Sequence, residues 1–138
     1  MSLYFESLVK GYEGIDFRPP QGVADAAARG LELRRKASPS NRGGLTASEA
    51  SKEGIGSGVM RAATLKNRKR VSPKTIRQMV SFFARHEQNK TIDPKHKGSP
   101  ENDKGYVAWL LWGGDPGRSW AEKIKRQMDT KDDARKRD

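Results

Sequence analysis

Apolar side chains along this chain fall into five short stretches separated by polar or glycine-rich segments. The first, residues 1–17, holds Leu3, Tyr4, Phe5, Leu8, Val9, Tyr12, Ile15 and Phe17, with Gly11 and Gly14 breaking it. It predicts a short helix over 2–10 at the head of an apolar arm. Such an arm either folds back onto its own domain or docks on a neighbouring subunit, because an isolated apolar tail is a liability in water. Arg18-Pro19-Pro20 stops the arm, since a residue before proline is pushed out of the helical region. Val23, Ala26, Ala27, Gly30 and Leu31 then repeat at helical spacing through 20–36, with Pro20 suited to the first turn and Arg34, Arg35 and Lys36 to the negative end of the helix dipole.

Residues 37–58 are rich in Ser, Gly, Asn and Thr and predict a long loop. Val59, Ala62, Ala63 and Lys66 predict a short helix over 58–67. Ser72 is a candidate N-cap with Pro73 at the first helical position, and Ile76, Met79, Val80 and Phe83 form the apolar face of a helix reaching His86 or Glu87. A polar loop follows to Lys104. Tyr106 to Trp112 is uniformly apolar and predicts a buried helix ended by Gly113-Gly114. Asp115 and Pro116 then suit the cap and first position of a second helix, whose buried stripe is Trp120, Ala121, Ile124 and Met128. The charged residues 129–138 should fray.

The expected fold is therefore mainly α: a small bundle of four or five helices with a C-terminal helix hairpin, long basic loops and extended termini. It divides into an arm (1–17), a helical domain (18–128) and a charged tail (129–138). Hydrophobic residues make up only 33% of the chain and mean hydropathy is −0.92. The core must then lean on its large side chains, and Phe83, Trp109, Trp112, Trp120 and Ile124 are its expected members. All three tryptophans lie between 109 and 120, and one indole could serve a partner instead. No apolar run approaches the roughly 18 residues of a membrane span, so no membrane partner is expected. The chain has no cysteine, which excludes disulfides and thiolate chemistry.

Charge changes the picture most. The formal net charge is +11, and residues 18–70 carry twelve basic against four acidic side chains. A field of this sign favours polyanions. Its densest part is Arg61, Lys66, Arg68, Lys69 and Arg70, where no acid is interleaved at helical spacing, with Arg42 and Lys52 expected nearby. These seven residues are the candidate polyanion-binding set, to be weighed against a simple solubility role. Arg118, Lys123, Lys125 and Arg126 put similar charge on the second hairpin helix, which invites comparison with DNA-reading helix-turn-helix units, although such hairpins are also common as pure packing units. Gly54-Ile55-Gly56-Ser57-Gly58 lacks the strand and the Gly-Lys-Ser/Thr of a phosphate loop and fits a linker better. His86 and His96 suggest neither a metal set nor a catalytic pair, and Asp129, Asp132 and Asp133 lack the spacing of a calcium loop. No serine or threonine has a nucleophile setting. Nothing here points to an enzyme, a metal or a cofactor.

Several segments are similar to a small domain that recurs in tailed-phage genomes. Pro-Pro-x-x-Val with an alanine-rich helix and Gly-Leu-Glu-Leu-Arg occupies 19–34. Met-Val-Ser-Phe-Phe-Ala-Arg-His-Glu fills 79–87. Gly-Tyr-Val-Ala-Trp-Leu-Leu-Trp-Gly-Gly-Asp-x-Gly-x-x-Trp-Ala spans 105–121, followed by Lys-Ile-x-Arg-Gln-Met at 123–128. The resemblance covers about four-fifths of the chain, and its tryptophan–glycine segment is the specific part. Domains of this kind look like accessories of phage head genes, sometimes attached to a prohead protease, with no established activity. The loop from Ser38 to Ser57 looks longer and more basic than in that pattern, and the apolar arm is particular to this chain. The resemblance implies a non-enzymatic virion component of the head or head–tail region, assembled in the host cytoplasm. Its partners would be other virion proteins or copies of itself. The alternative is a phage-encoded basic accessory protein that binds nucleic acid in the infected cell. DNA or an acidic protein surface could meet the basic cluster in either case.

Overall fold

The computed structural model describes residues 3–37 and 58–137. Its α-helices are α1 (Leu3–Leu8), α2 (Gln21–Lys36), α3 (Gly58–Lys66), α4 (Pro73–Arg85), α5 (Lys104–Leu111) and α6 (Gly114–Arg137). The protein is mainly α, with no strand among the described residues. The expected long loop and the Gly-Ile-Gly-Ser-Gly segment, apart from residues 37 and 58 at their edges, lie outside the described residues.

Helix α2 is the central element and touches α3, α5 and α6. Its small residues explain this. Ala24, Ala27 and Gly30 are buried between Val23 and Leu33, so neighbouring backbones come close. The closest approach is at Gly30, where a Cβ would lie 2.8 Å from the backbone nitrogen of Leu111 in α5. Helix α4 packs along α6 and starts as its sequence requires. Ser72 Oγ accepts the Thr75 amide at 3.1 Å, Pro73 occupies the first helical position, and Ile76, Met79, Phe82 and Phe83 face the core. His86 closes α4 in the cap position, its ring 4.8 Å from that of Phe82.

The polar stretch after α4 is more ordered than its composition predicts. Three short 3-10 turns, Glu87–Lys90, Pro94–His96 and Pro100–Asn102, lead into α5. Asp103 ties their end together, its carboxylate accepting the Tyr106 amide at 3.1 Å and the Asp93 amide at 2.9 Å. Helices α5 and α6 form the expected hairpin. Gly113 and Gly114 turn the chain at φ +114° and +63°, a region that side chains with a Cβ rarely enter.

Two expectations about the hairpin are corrected. Asp115 does not cap α6, which already begins at Gly114; its carboxylate instead accepts the indole N–H of Trp109 at 2.8 Å. The residues from 129 onward do not fray: α6 continues as one helix to Arg137. Trp120, Ala121, Ile124 and Met128 line its buried side. Past Met128, packing gives way to polar ties from the arm. Arg135 donates to the Gly11 carbonyl and pairs with Asp132, and Tyr12 Oη donates to Asp132 at 2.9 Å.

Of the expected core, Phe83, Trp109, Trp120 and Ile124 are buried. Trp109 meets Phe83 edge-on at 4.7 Å. Trp112 is only half-buried and lies flat on Phe82, with ring centroids 4.5 Å apart and planes inclined by 9°.

Candidate functional site

The basic segment between α3 and α4 owes its shape to the way α3 ends. The Lys69 amide bonds to the Thr64 carbonyl at 3.1 Å and the Arg68 amide to the Leu65 carbonyl at 3.0 Å. This is the paired closure of a Schellman cap, with Arg68 in the left-handed position at φ +51°. Glycine is the usual residue there, because an L side chain in that conformation costs about 1–2 kcal/mol. Arg68 recovers part of this through its Nε, which donates to the Pro19 carbonyl at 2.9 Å. The cap thereby holds the turn against the segment that enters α2, and the Val71 amide bonds to the Phe17 carbonyl at 3.0 Å beside it.

Around Arg68 the other basic residues divide into two kinds. Lys66 and Lys69 are exposed and form no ion pair among the described residues. Arg70 is exposed as well, and its guanidinium carbon lies 4.2 Å from the centre of the Phe5 ring in the arm. Arg61 does not belong with them. It is half-buried, donating to Thr75 Oγ1 at 3.2 Å and Gln78 Oε1 at 3.0 Å while its guanidinium covers the outer face of Trp112 at 5.5 Å. Burial pulls its pKa down from the ordinary guanidinium value, and its buried Nε has no hydrogen-bond partner. Arg61 serves the joint between α3 and α4 rather than a solvent-facing surface. Arg42 and Lys52 lie outside the described residues.

The arm sits on its own domain. Phe5, Val9, Tyr12 and Ile15 pack against the core, and Leu8 stays exposed; the side chains of Leu3 and Tyr4 lie outside the described residues. Tyr12 is wedged between α4 and α6: its hydroxyl accepts from Arg77 at 2.8 Å and donates to Asp132. Of the six side chains expected to grip a neighbour (Leu3, Tyr4, Phe5, Leu8, Val9 and Tyr12), Phe5, Val9 and Tyr12 are thus already engaged within the chain.

Helix α6 fares similarly as a reading helix. Arg118 is held by Glu122 at 3.1 Å and Glu87 at 3.4 Å, and Lys125 by Asp129 at 2.9 Å, so half of its expected phosphate contacts are neutralised internally. Among the described residues no group of three or more His, Asp or Glu could hold a metal ion, and no helix is long and apolar enough to cross a membrane.

Sequence reading did not find Arg77, Arg135 or the Pro19 carbonyl, all of which act across the fold. A weak signal existed for the cap alone: Leu65-Lys66-Asn67 ends an apolar stripe on a residue that tolerates left-handed backbone, though Arg68, one position later, takes that conformation. No family model, no curated protein and no solved structure matches the chain.

Proposed function

We propose that this protein is a non-enzymatic accessory of a tailed phage that binds nucleic acid along its phosphate backbone, with the turn from Lys66 to Arg70 as the contact surface. The phage setting comes from the resemblance of residues 105–121 and their flanking segments. The binding reading is carried by Arg68. A glycine would close α3 without the steric cost of a Cβ, whereas the arginine accepts that strain and recovers about 1 kcal/mol through one hydrogen bond. Its Nη donors make no hydrogen bond among the described residues. A charge held at a strained backbone position between Lys66, Lys69 and Arg70 supports anion binding, since strain of this kind clusters at functional sites.

A place in the virion is the second reading, favoured by the head-gene context of that resemblance. The arm gives it less support than its sequence promised, because Phe5, Val9 and Tyr12 are engaged within the chain.

The test is fluorescence anisotropy on a mixed-sequence DNA duplex over a series of salt concentrations. Wild-type protein should bind all sequences alike, with a salt slope of about 0.9 per phosphate contacted. Replacing Lys66, Lys69 and Arg70 with alanine and Arg68 with glycine should remove most of that slope. An unchanged slope in this variant, or preference for an acidic polypeptide over DNA, would overturn the reading.

A further inference from the structure

We propose that Phe5 of the arm is part of the nucleic-acid surface: it is the positioning residue that holds the Arg70 guanidinium by its face, so that the N–H edge is presented to a backbone phosphate. This deepens the nucleic-acid reading and rests on it. A guanidinium over an aromatic ring spends its π-face on the ring and keeps its donors in the plane at the edge, where a phosphate can take two of them.

Comparison within the molecule singles out Arg70. Five arginines lie over aromatic rings among the described residues, and in four the edge is already used. Arg61 donates to Thr75 and Gln78. Arg77 bonds Tyr12 Oη and pairs with Asp132. Arg118 is taken by Glu122 and Glu87, and Arg135 by Asp132 and the Gly11 carbonyl. The Arg70 guanidinium carbon comes closest to its ring of the five, 4.2 Å against 5.1–6.0 Å, and its guanidinium N–H groups have no partner among the described residues.

Phe5 is itself held in place. Val9, Tyr12 and Ile15 pack the arm onto the core, and the Tyr12 hydroxyl is fixed between Arg77 and Asp132. Two residues upstream, Arg68 leans on Pro19. Both arginines of the turn are thus braced by the N-terminal segment, while Lys66 and Lys69 are not. Bracing removes rotamer freedom before the anion arrives and so favours binding without adding charge.

Charge and positioning separate in the same anisotropy experiment. Arg70→Ala should lower the salt slope by about one. Phe5→Leu keeps an apolar side chain on the arm but loses the ring face; it should weaken binding about three-fold. Phe5→Tyr should restore wild-type affinity, and Phe5→Leu added to Arg70→Ala should cause no further loss. Arg70→Lys, a change on an exposed residue that leaves the fold intact, should keep the slope and lose a similar factor. The inference is overturned if Phe5→Leu binds as tightly as wild type, or more tightly, or if its loss adds in full to that of Arg70→Ala. The parent reading fails separately: wild-type protein that ignores the duplex, or Lys66→Ala/Lys69→Ala without effect on the slope, removes it whatever Phe5 does.

Discussion

Replacing Gly30 with alanine should destabilise the protein, although the same change in an open helix interior stabilises by about 1 kcal/mol. The added Cβ would lie 2.8 Å from the nitrogen and 3.1 Å from the carbonyl carbon of adjacent α5 residues, Leu111 and Leu110, and 3.0 Å from Leu110 Cβ. Two of these three atoms belong to the backbone, so no rotamer change relieves the contact. Helix α2 must back away from α5 by several tenths of an ångström, loosening the core to which both helices contribute. Overpacking of this kind costs about 1–3 kcal/mol, which leaves a net loss of up to about 2 kcal/mol after the propensity gain. Gly22, on the same helix, supplies the control. A Cβ there meets only Pro116 Cβ at 3.5 Å and Cγ at 3.8 Å, which is ordinary contact. Gly22→Ala should raise stability by up to about 1 kcal/mol. Urea unfolding followed by circular dichroism measures both, and the two variants should move the midpoint in opposite directions. If Gly30→Ala gains stability as Gly22→Ala does, α2 and α5 do not cross as closely as described.

Asp115→Ala should cost about 1–3 kcal/mol, because it leaves the buried Trp109 indole N–H without an acceptor; Asp115→Asn, which keeps one, should cost less in the same unfolding assay. Equal losses would show that the bond to Trp109 is not what Asp115 contributes. Trp109→Ala should lose about 3–5 kcal/mol and abolish the cooperative transition, so a Trp109 variant with the wild-type melting temperature would contradict its place in the core. Glu87 should titrate below an ordinary glutamate, held down first by the Lys90 hydrogen bond and then by Arg118. A carboxylate whose folded pKa is depressed stabilises the fold above its unfolded value of about 4.3 and loses that contribution as pH falls through the folded value. A carboxyl NMR titration checks this, and a Glu87 midpoint at or above the ordinary value would refute it.

What the chain shows without its structure is the local part of the fold. Ser72-Pro73 and Pro19-Pro20 mark helix starts through backbone chemistry that acts within a few residues, and Gly113-Gly114 marks the hairpin turn in the same way. The buried face of α6 follows from 3.6-residue periodicity, and those of α2 and α4 in part: Ala24, Leu33 and Phe82 are buried outside the expected stripes, while Ala26, Leu31 and Val80 are only half-buried. Partners distant in sequence escape such reasoning. The Asp115 carboxylate has an ordinary N-cap signature, and only the position of the Trp109 indole redirects it. Residues 129–137 are polar on all sides, so they carry no periodicity, and their helix continues from a packed stretch into contacts with the arm. For the candidate site, the location of the basic turn was legible and its internal order was not. Arg61 and Lys66 look equivalent as cations in a basic run, yet one is enclosed by Thr75, Gln78 and Trp112 while the other is exposed.

The bond between Tyr12 and Asp132 joins residues 120 positions apart. Such a contact closes nearly the whole chain into a loop, and the entropy of that closure favours it only after the intervening helices have collapsed. During synthesis the arm emerges before α6, so the Tyr12 hydroxyl can reach Asp132 only after the end of that helix has formed. Completion of the arm's docking is therefore a late step, after α2–α5 have consolidated. Hydrogen exchange should find the amides of α1 and of the end of α6 opening together, at lower free energy than those of α2 and α4.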